Sequence, residues 1–335
     1  INAGAFFAPL VAGTLGEQVN WHWGFLAAGV GMLIGTLWFY FRSYTLGSVG
    51  LPPKDMSNGQ DRIGAKDWKD ILIWSFGSIA VVLGFIKGWS SLSETVQSVV
   101  IWTLSIGGGG YMLWTIFKNT SGKTEWSRVT VIFVLAIFNI IFWSGFEQAG
   151  GTFNLFARDN TDRTLFGTEF AASLFQSVNA IAIFIFAPLF TMLWSWLNKK
   201  HLNPRTPNKF GWGLVFLGLG FVVMGIANDR ASEGMLVSPL WLIAVYLLHT
   251  WGELFLSPIG LSMITKLAPV KIVTAMMGIW MGSIAVGNFL AAMMEKIVHH
   301  FDFPLFYFIA VEAIVAGLVA FAVAPLLSKM MKGIH

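Results

Sequence analysis

An all-α integral membrane protein is the fold class this sequence predicts, and three observations predict it. Of 335 residues, 56% are hydrophobic and only 11% charged, against about 25% charged in an ordinary soluble domain. The apolar residues gather into runs of about 17–25 or more, the length a helix needs to cross a bilayer, with the longer ones tilting or protruding. The basic residues fall alternately in rich and poor connections between those runs, as sidedness requires. A mean hydropathy of +0.69 and 16 tryptophans agree. Cysteine is absent, which excludes disulfides, thiolate metal sites and thiol nucleophiles. The net charge of +4 is absorbed by the topology, so no nucleic-acid partner is expected.

Ten spanning segments are expected, in order 1–15, 21–42, 71–90, 94–117, 129–157, 169–197, 210–227, 238–265, 272–298 and 303–328. The first opens at Ile1, without Met and already apolar, and reads as a helix cut short at its start. The second carries Ala27, Gly31 and Gly35 four apart on one face, a small-residue ladder that lets helices approach closely. The stretch 43–70 is the long polar linker, in which Pro52-Pro53 stops the preceding helix. The pair 71–90 and 94–117 follows; its "GGGG" at 107–110 lacks the Lys-Ser/Thr of a phosphate loop and reads as packing or flexibility. In 129–157, Gly150-Gly151 mark a bend where backbone can line a cavity. In 169–197 an apolar run ends at Pro188, and in 238–265 Pro258 removes a backbone donor and bends the helix.

The connections test this count. One alternate set holds Arg42, Lys54, Arg62, Lys66 and Lys69, then Lys118, Lys123 and Arg128, then Lys199, Lys200, Arg205 and Lys209, then Lys266 and Lys271, then Lys329 and Lys332. The other holds only Lys87, Arg158, Arg163, Arg230 and Lys296. The positive-inside rule places the first set in the cytoplasm, with the C-terminus. Glu147 then lies in the outer half of a helix running outward, and the "NTS" at 119–121 is cytoplasmic and is discounted as a glycosylation site.

Three carboxylates fall well inside expected spans: Glu147, Glu253 and Glu312. Placing an acid at the centre of a membrane helix costs about 2.5–3.5 kcal/mol on insertion scales, so such groups face a cavity or a partner. Glu147 has Trp143 one turn earlier on the same face. His249, Glu253 and Ser257 recur every four residues as one polar stripe. Glu312 has no polar companion at helical spacing and is expected to hydrogen-bond a neighbouring helix. Asn139, Asn154, Asn179 and Asn288 each read as interhelical glue or a ligand contact. Trp280 reads as packing or a pocket wall. His299-His300 lie at a helix end. No H-E-x-x-H and no Gly-x-Ser-x-Gly elbow occurs, so proteolysis and metal chemistry lose support and no enzyme is expected.

Four pieces together resemble one family: "INAGAFFAPLVAGTLGE" (1–17), "FWSGFEQAGGTFNLFA" (142–157), "FQSVNAIAIFIFAPLF" (175–190) and "GELFLSPIGLSMITKLAPVKIVTAMMGIWM" (252–281). The chain resembles the bacterial proton-dependent oligopeptide transporters of the major facilitator superfamily. The resemblance implies two six-helix bundles around a central cavity, with two extra helices inserted between them in bacterial members. It divides the chain into 1–42, the fifth and sixth family helices; a cytoplasmic linker, 43–70; the inserted hairpin, 71–118; and the C-terminal six-helix bundle, 129–331. About four N-terminal helices, with the family's E-x-x-E-R signature, would then be absent. It implies that Glu147 salt-bridges a basic residue of the family's first helix and serves proton coupling with Glu253. It further implies that Glu253 holds a peptide amino terminus, that Asn179 assists it, and that Asn2 contacts peptide backbone. Ser257, Trp280 and Trp143 would line side-chain pockets. The function implied is proton-coupled symport of di- and tripeptides in the bacterial inner membrane, by a monomer in the lipid bilayer, with the proton as coupling ion and no other cofactor.

The physical reading runs the same way. Burial disfavours a charged carboxylate and a nearby cation restores it, so Glu147 can switch between an ion pair and a neutral acid and act as a latch between bundles. The rival expectations are a transporter of another small solute, such as nitrate or an amino acid, or a non-transporting membrane scaffold or channel.

Overall fold

The computed structural model describes residues 2–47, 49, 65–300 and 303–334. Most of the linker expected at 43–70, Pro52-Pro53 included, lies outside the described residues, as do the side chains of His299 and His300. The described chain divides into two compact units, 1–31 with 115–335, and 32–114.

The larger unit begins with α1 (Asn2–Ala8), which runs through a π-helical turn at Pro9–Gly13 into α2 (Thr14–Gln18). Its further elements are the start of α3 (Trp21–Arg42), the end of a helix described below, then α6 (Gly122–Phe146), α7 (Thr152–Asn160), α8 (Gln176–Lys199), α9 (Thr206–Ala231), α10 (Leu240–Leu267), α11 (Val273–His300) and α12 (Leu305–Met330). The smaller unit holds the rest of α3, then α4 (Ala65–Ser91) and most of α5 (Glu94–Asn119). The turn between α4 and α5 is closed by Gln97, whose amide donates to the carbonyls of Trp89 (2.8 Å) and Leu92 (3.1 Å).

Eight helical segments among the described residues are long and apolar enough to cross a membrane, against ten expected. The two exceptions have visible reasons. Residues 2–18 are too short and broken by the π turn. In α4 the first turns carry Lys66, Asp67, Lys69 and Asp70, leaving an apolar stretch of only 75–89. Among the described residues Thr161 bridges to Val237, and β1 (Thr164–Leu165) and β2 (Thr168–Glu169) form a small antiparallel hairpin. Its two turn residues, Phe166 (φ 50°) and Gly167 (φ 77°), both take the left-handed conformation that matches strand twist in such tight turns.

The core of the larger unit lies among α6, α9, α10 and α12, where Phe142, Phe210, Leu214, Leu217, Phe221 and Leu256 are fully buried. In lipid, apolar side chains gain little by leaving their surroundings, so close helix packing has to come from shape. Helix α9 shows how. Gly211, Gly218 and Gly225 recur every seven residues toward Phe321, Ile314 and Tyr307 of α12, and a Cβ at any of them would collide there. Gly213 and Gly220, also seven apart, do the same toward the Gly252 carbonyl and the His249 ring of α10. Two glycine ridges on one helix therefore seat two neighbours. Helix α8 packs against both α1 and α10, and α11 packs against α6. Outward residues of α8 such as Phe184, Ile185 and Met192 are exposed, as a lipid-facing surface needs.

Candidate functional site

Glu147 sits where α6 stops. The helix ends at Phe146, a 3₁₀ turn covers Glu147–Gly150, and α7 starts afresh at Thr152. The bend expected at Gly150-Gly151 is present, and both glycines line a cavity of about 350 Å³ with Glu147, Gln148, Thr152 and Asn288. A second cavity of about 340 Å³ lies on the other side of Glu147, walled by Ala5 and Pro9 of the N-terminal segment, Phe146, Asn179 and Tyr246. Glu147 thus borders two cavities, and no hydrogen bond or ion pair reaches its carboxylate among the described residues. The break beside it is held by Gln148, which is buried. Its amide donates to the Ala291 carbonyl of α11 at 3.0 Å and its oxygen accepts from Thr152 Oγ1 at 2.5 Å.

Glu253 is placed differently. It lies within α10, and its Oε2 accepts a hydrogen bond of 3.0 Å from Nδ2 of Asn179 on α8. The same Nδ2 donates to Thr250 Oγ1 at 3.0 Å, and Thr250 Oγ1 donates to its own helix at the Tyr246 carbonyl, 2.7 Å. Asn179 and Glu253 are therefore brought together, and Asn179 carries the pair to the wall of the 340 Å³ cavity that Glu147 also borders. Thr250, fully buried, was not foreseen. A threonine inside a membrane helix ordinarily bonds its own backbone and sends no signal of a partner.

The other expected residues divide. Asn2 is partly exposed at the start of α1, one turn before Ala5 of the cavity wall. Trp143 is partly buried, with Nε1 donating to Asn139 Oδ1 at 3.1 Å, while Asn139 donates to Ser283 Oγ of α11 at 2.8 Å. That relay makes Asn139 interhelical glue. Ser257 is partly exposed and makes no side-chain hydrogen bond among the described residues. Trp280, expected in a side-chain pocket, is placed in the core instead. It is 3% exposed, against Phe210 and at the spot where a Cβ on Gly260 would stand. The expected His249–Glu253–Ser257 stripe is also split. The His249 ring turns into the gap at Gly220 and packs among Phe146, Phe153 and Phe221, the last at 4.9 Å, and no geometric hydrogen bond to Nε2 is formed among the described residues. Glu312 is partly buried on α12, and the interhelical hydrogen bond expected of it is not formed among the described residues.

A fourth carboxylate, Glu17, proves to be structural. Glu17 of α2 accepts backbone N–H bonds from Ala172 (2.7 Å) and Ser173 (2.9 Å), capping the 3₁₀ turn that leads into α8. Gln18 adds a bond to the Glu169 carbonyl at 3.1 Å. The N-terminal segment is fastened to α8 at that end, beside a cavity of about 380 Å³ lined by Asn154, Arg158 and Arg163. Arg158 pairs with Asp159 at 2.7 Å, and Arg163 with Glu169.

The family model described as POT family matches residues 1–313. "Peptide transporter YePEPT" of Yersinia enterocolitica is 34% identical over 304 residues, covering 88% of this chain and 58% of that protein. A "Di-/tripeptide transporter" of Lactococcus lactis is 31% identical over 292 residues, covering 84% of this chain and 57% of that protein. A solved structure, the crystal structure of peptide transporter POT in complex with sulfate, superposes with a TM-score of 0.77 at 33% identity, covering 99% of this chain and 67% of that one. The chain thus spans less than three fifths of the length of these two named relatives. Matched by the family model over most of its length, and sharing the fold of a solved member at 33% identity, it belongs to the POT family.

Proposed function

We propose that the protein is a proton-coupled symporter of di- and tripeptides that works by alternating access in the bacterial inner membrane. The observation that carries this reading is the Asn179–Glu253 pair, joined at 3.0 Å, at the wall of a cavity that Glu147 also borders. A carboxylate offers about four acceptor sites. Asn179 occupies one of them, which leaves Glu253 able to receive a peptide ammonium. The named relatives are peptide transporters, which supports the substrate class. The wall around Glu147 and Asn179 carries no Lys or Arg among the described residues, so a cation for the peptide carboxylate comes from elsewhere in the protein.

In this reading Glu147 is the proton-sensitive latch. Unpartnered within the described residues and set at a break in its helix, it pairs with a cation across the cavity when ionised and releases it when protonated. Peptide and proton then cross together as one bundle rocks against the other. The drive is about 1.4 kcal/mol per pH unit, with about 2.3 kcal/mol more per 100 mV for each charge moved. The C-terminus is cytoplasmic, residues 129–331 form the C-terminal bundle, 71–118 the inserted hairpin, and the working unit is a monomer.

The test is uptake of a radiolabelled dipeptide by the whole protein in liposomes, with and without an acidic exterior. Saturable uptake that accumulates only with the proton gradient is expected. Uptake indifferent to the gradient, or no uptake of any dipeptide, would sink the reading.

A further inference from the structure

We propose that Thr250 is a positioning residue for the amine end of the site: its hydroxyl pins the Asn179 amide with its NH₂ toward α10 and so keeps Glu253 supplied with a donor. The inference rests on the peptide-binding reading for its consequence, but the geometry that motivates it stands alone.

Thr250 is fully buried, so water cannot serve its hydroxyl. Its one hydrogen is committed to the Tyr246 carbonyl at 2.7 Å. What remains on Oγ1 is acceptor capacity only. An amide approaching it at 3.0 Å must therefore present nitrogen rather than oxygen. The same Nδ2 lies 3.0 Å from Glu253 Oε2. Thr250 and Glu253 are three residues apart and project from one face of α10, so one NH₂ group bridges both. Without the threonine hydroxyl, Asn179 could turn its carbonyl toward a protonated Glu253 and accept from it. With it, that flip would set two acceptors against each other in a buried place and leave a donor unused. A threonine that bonded only its own helix would serve α10 alone; the second bond, across to α8, ties the helix to the binding carboxylate.

The other ionisable groups on the elements packed here are few. They are Tyr246, His249 and Lys266 on α10, Lys209, Asp229 and Arg230 on the packed helix α9, Glu147 after α6, and none on α8 before Lys199. His249 faces the aromatic cage and Tyr246 reaches the Ala149 carbonyl at 3.4 Å. Asn179 is the donor that Glu253 uses among the described residues.

The test compares Thr250→Val, which keeps the shape and loses the hydroxyl, with Thr250→Ser, which keeps the hydroxyl, in the whole protein in liposomes. For Ala-Ala uptake, Thr250→Val is expected to raise KM about fivefold, the worth of one neutral hydrogen bond. kcat should stay within about twofold, because binding rather than turnover is touched. Thr250→Ser should behave as the parent. A ligand-free arm follows the carboxyl infrared band that disappears in Glu253→Gln. Its titration midpoint should be displaced in Thr250→Val and restored in Thr250→Ser. An unchanged KM in Thr250→Val, equal losses in the two variants, or an infrared band that does not move overturns the proposal. If the parent protein takes up no dipeptide at all, the peptide reading falls, and the infrared arm still decides the role of Thr250.

Discussion

Glu253 lies inside α10 with a partner supplied by α8, whereas Glu147 lies where α6 breaks, bordering two cavities with no described side chain bonded to it. Both are acids in membrane helices, where an uncompensated charge is costly. The difference lies in who compensates it. Glu253 is held by a donor on the same rigid wall, which suits an anchor that must present one geometry to a ligand. Glu147 has no such donor among the described residues and sits beside a 3₁₀ turn and two glycines, which fits the latch proposed for it. The helix break is itself fastened by Gln148 to α11 and to Thr152.

The comparison can be broken most decisively at Glu147. Glu147→Gln should abolish accumulation of peptide against a gradient while preserving counterflow exchange. If the variant still concentrates peptide, Glu147 is not the latch and the two acids do not differ in the way described. At Glu253 the expected loss is smaller and selective. Glu253→Gln should raise KM for a free-amine dipeptide about a hundredfold, as losing a charge-assisted contact does, with little change for an N-acetylated one. Equal loss for both peptides would undo the anchor role. Glu17 supplies the control, a carboxylate that caps a turn and touches neither cavity of the site. Glu17→Ala should lower stability by about 1 kcal/mol, the ordinary cost of a lost cap, seen as a lower thermal unfolding midpoint in detergent. An unaltered midpoint would show that the two N–H bonds to Glu17 contribute nothing to folding.

Much of the architecture was readable residue by residue. The apolar run at 129–157 with Gly150-Gly151 near its end announced both a span and a bend, and the structure turns that bend into α6, a 3₁₀ turn and α7. Glu147 and Glu253 stood out as candidates because acids are conspicuous against 56% hydrophobic residues. Of their neighbours, Asn179 was named beside Glu253 by the resemblance rather than by spacing, and Thr250 was not named. His249 shares a helical face with Glu253 by spacing, yet Gly220 opens a slot that takes its ring away into Phe146, Phe153 and Phe221. Trp280 read as packing or a pocket wall from its residues and as a pocket wall by resemblance, and Gly260 makes room for it in the core. Glu17 has no reading of its own in the sequence, and its use as the cap of a turn more than 150 residues away needed the fold.

The sequence by itself determined which segments are helices of membrane length, where the polar interruptions fall and which acids demand an explanation. Each spanning helix satisfies its own backbone, so hydrophobic length and local breakers suffice to define it. Only the tertiary structure decided that Asn179 reaches across to Thr250 and Glu253, that Glu147 borders two cavities, and that Trp280 is core. Those outcomes depend on how far each helix is rotated and how closely it approaches its neighbours. In this chain the glycines of α9 and α10 govern that approach, and their effect appears only when a second helix stands beside them.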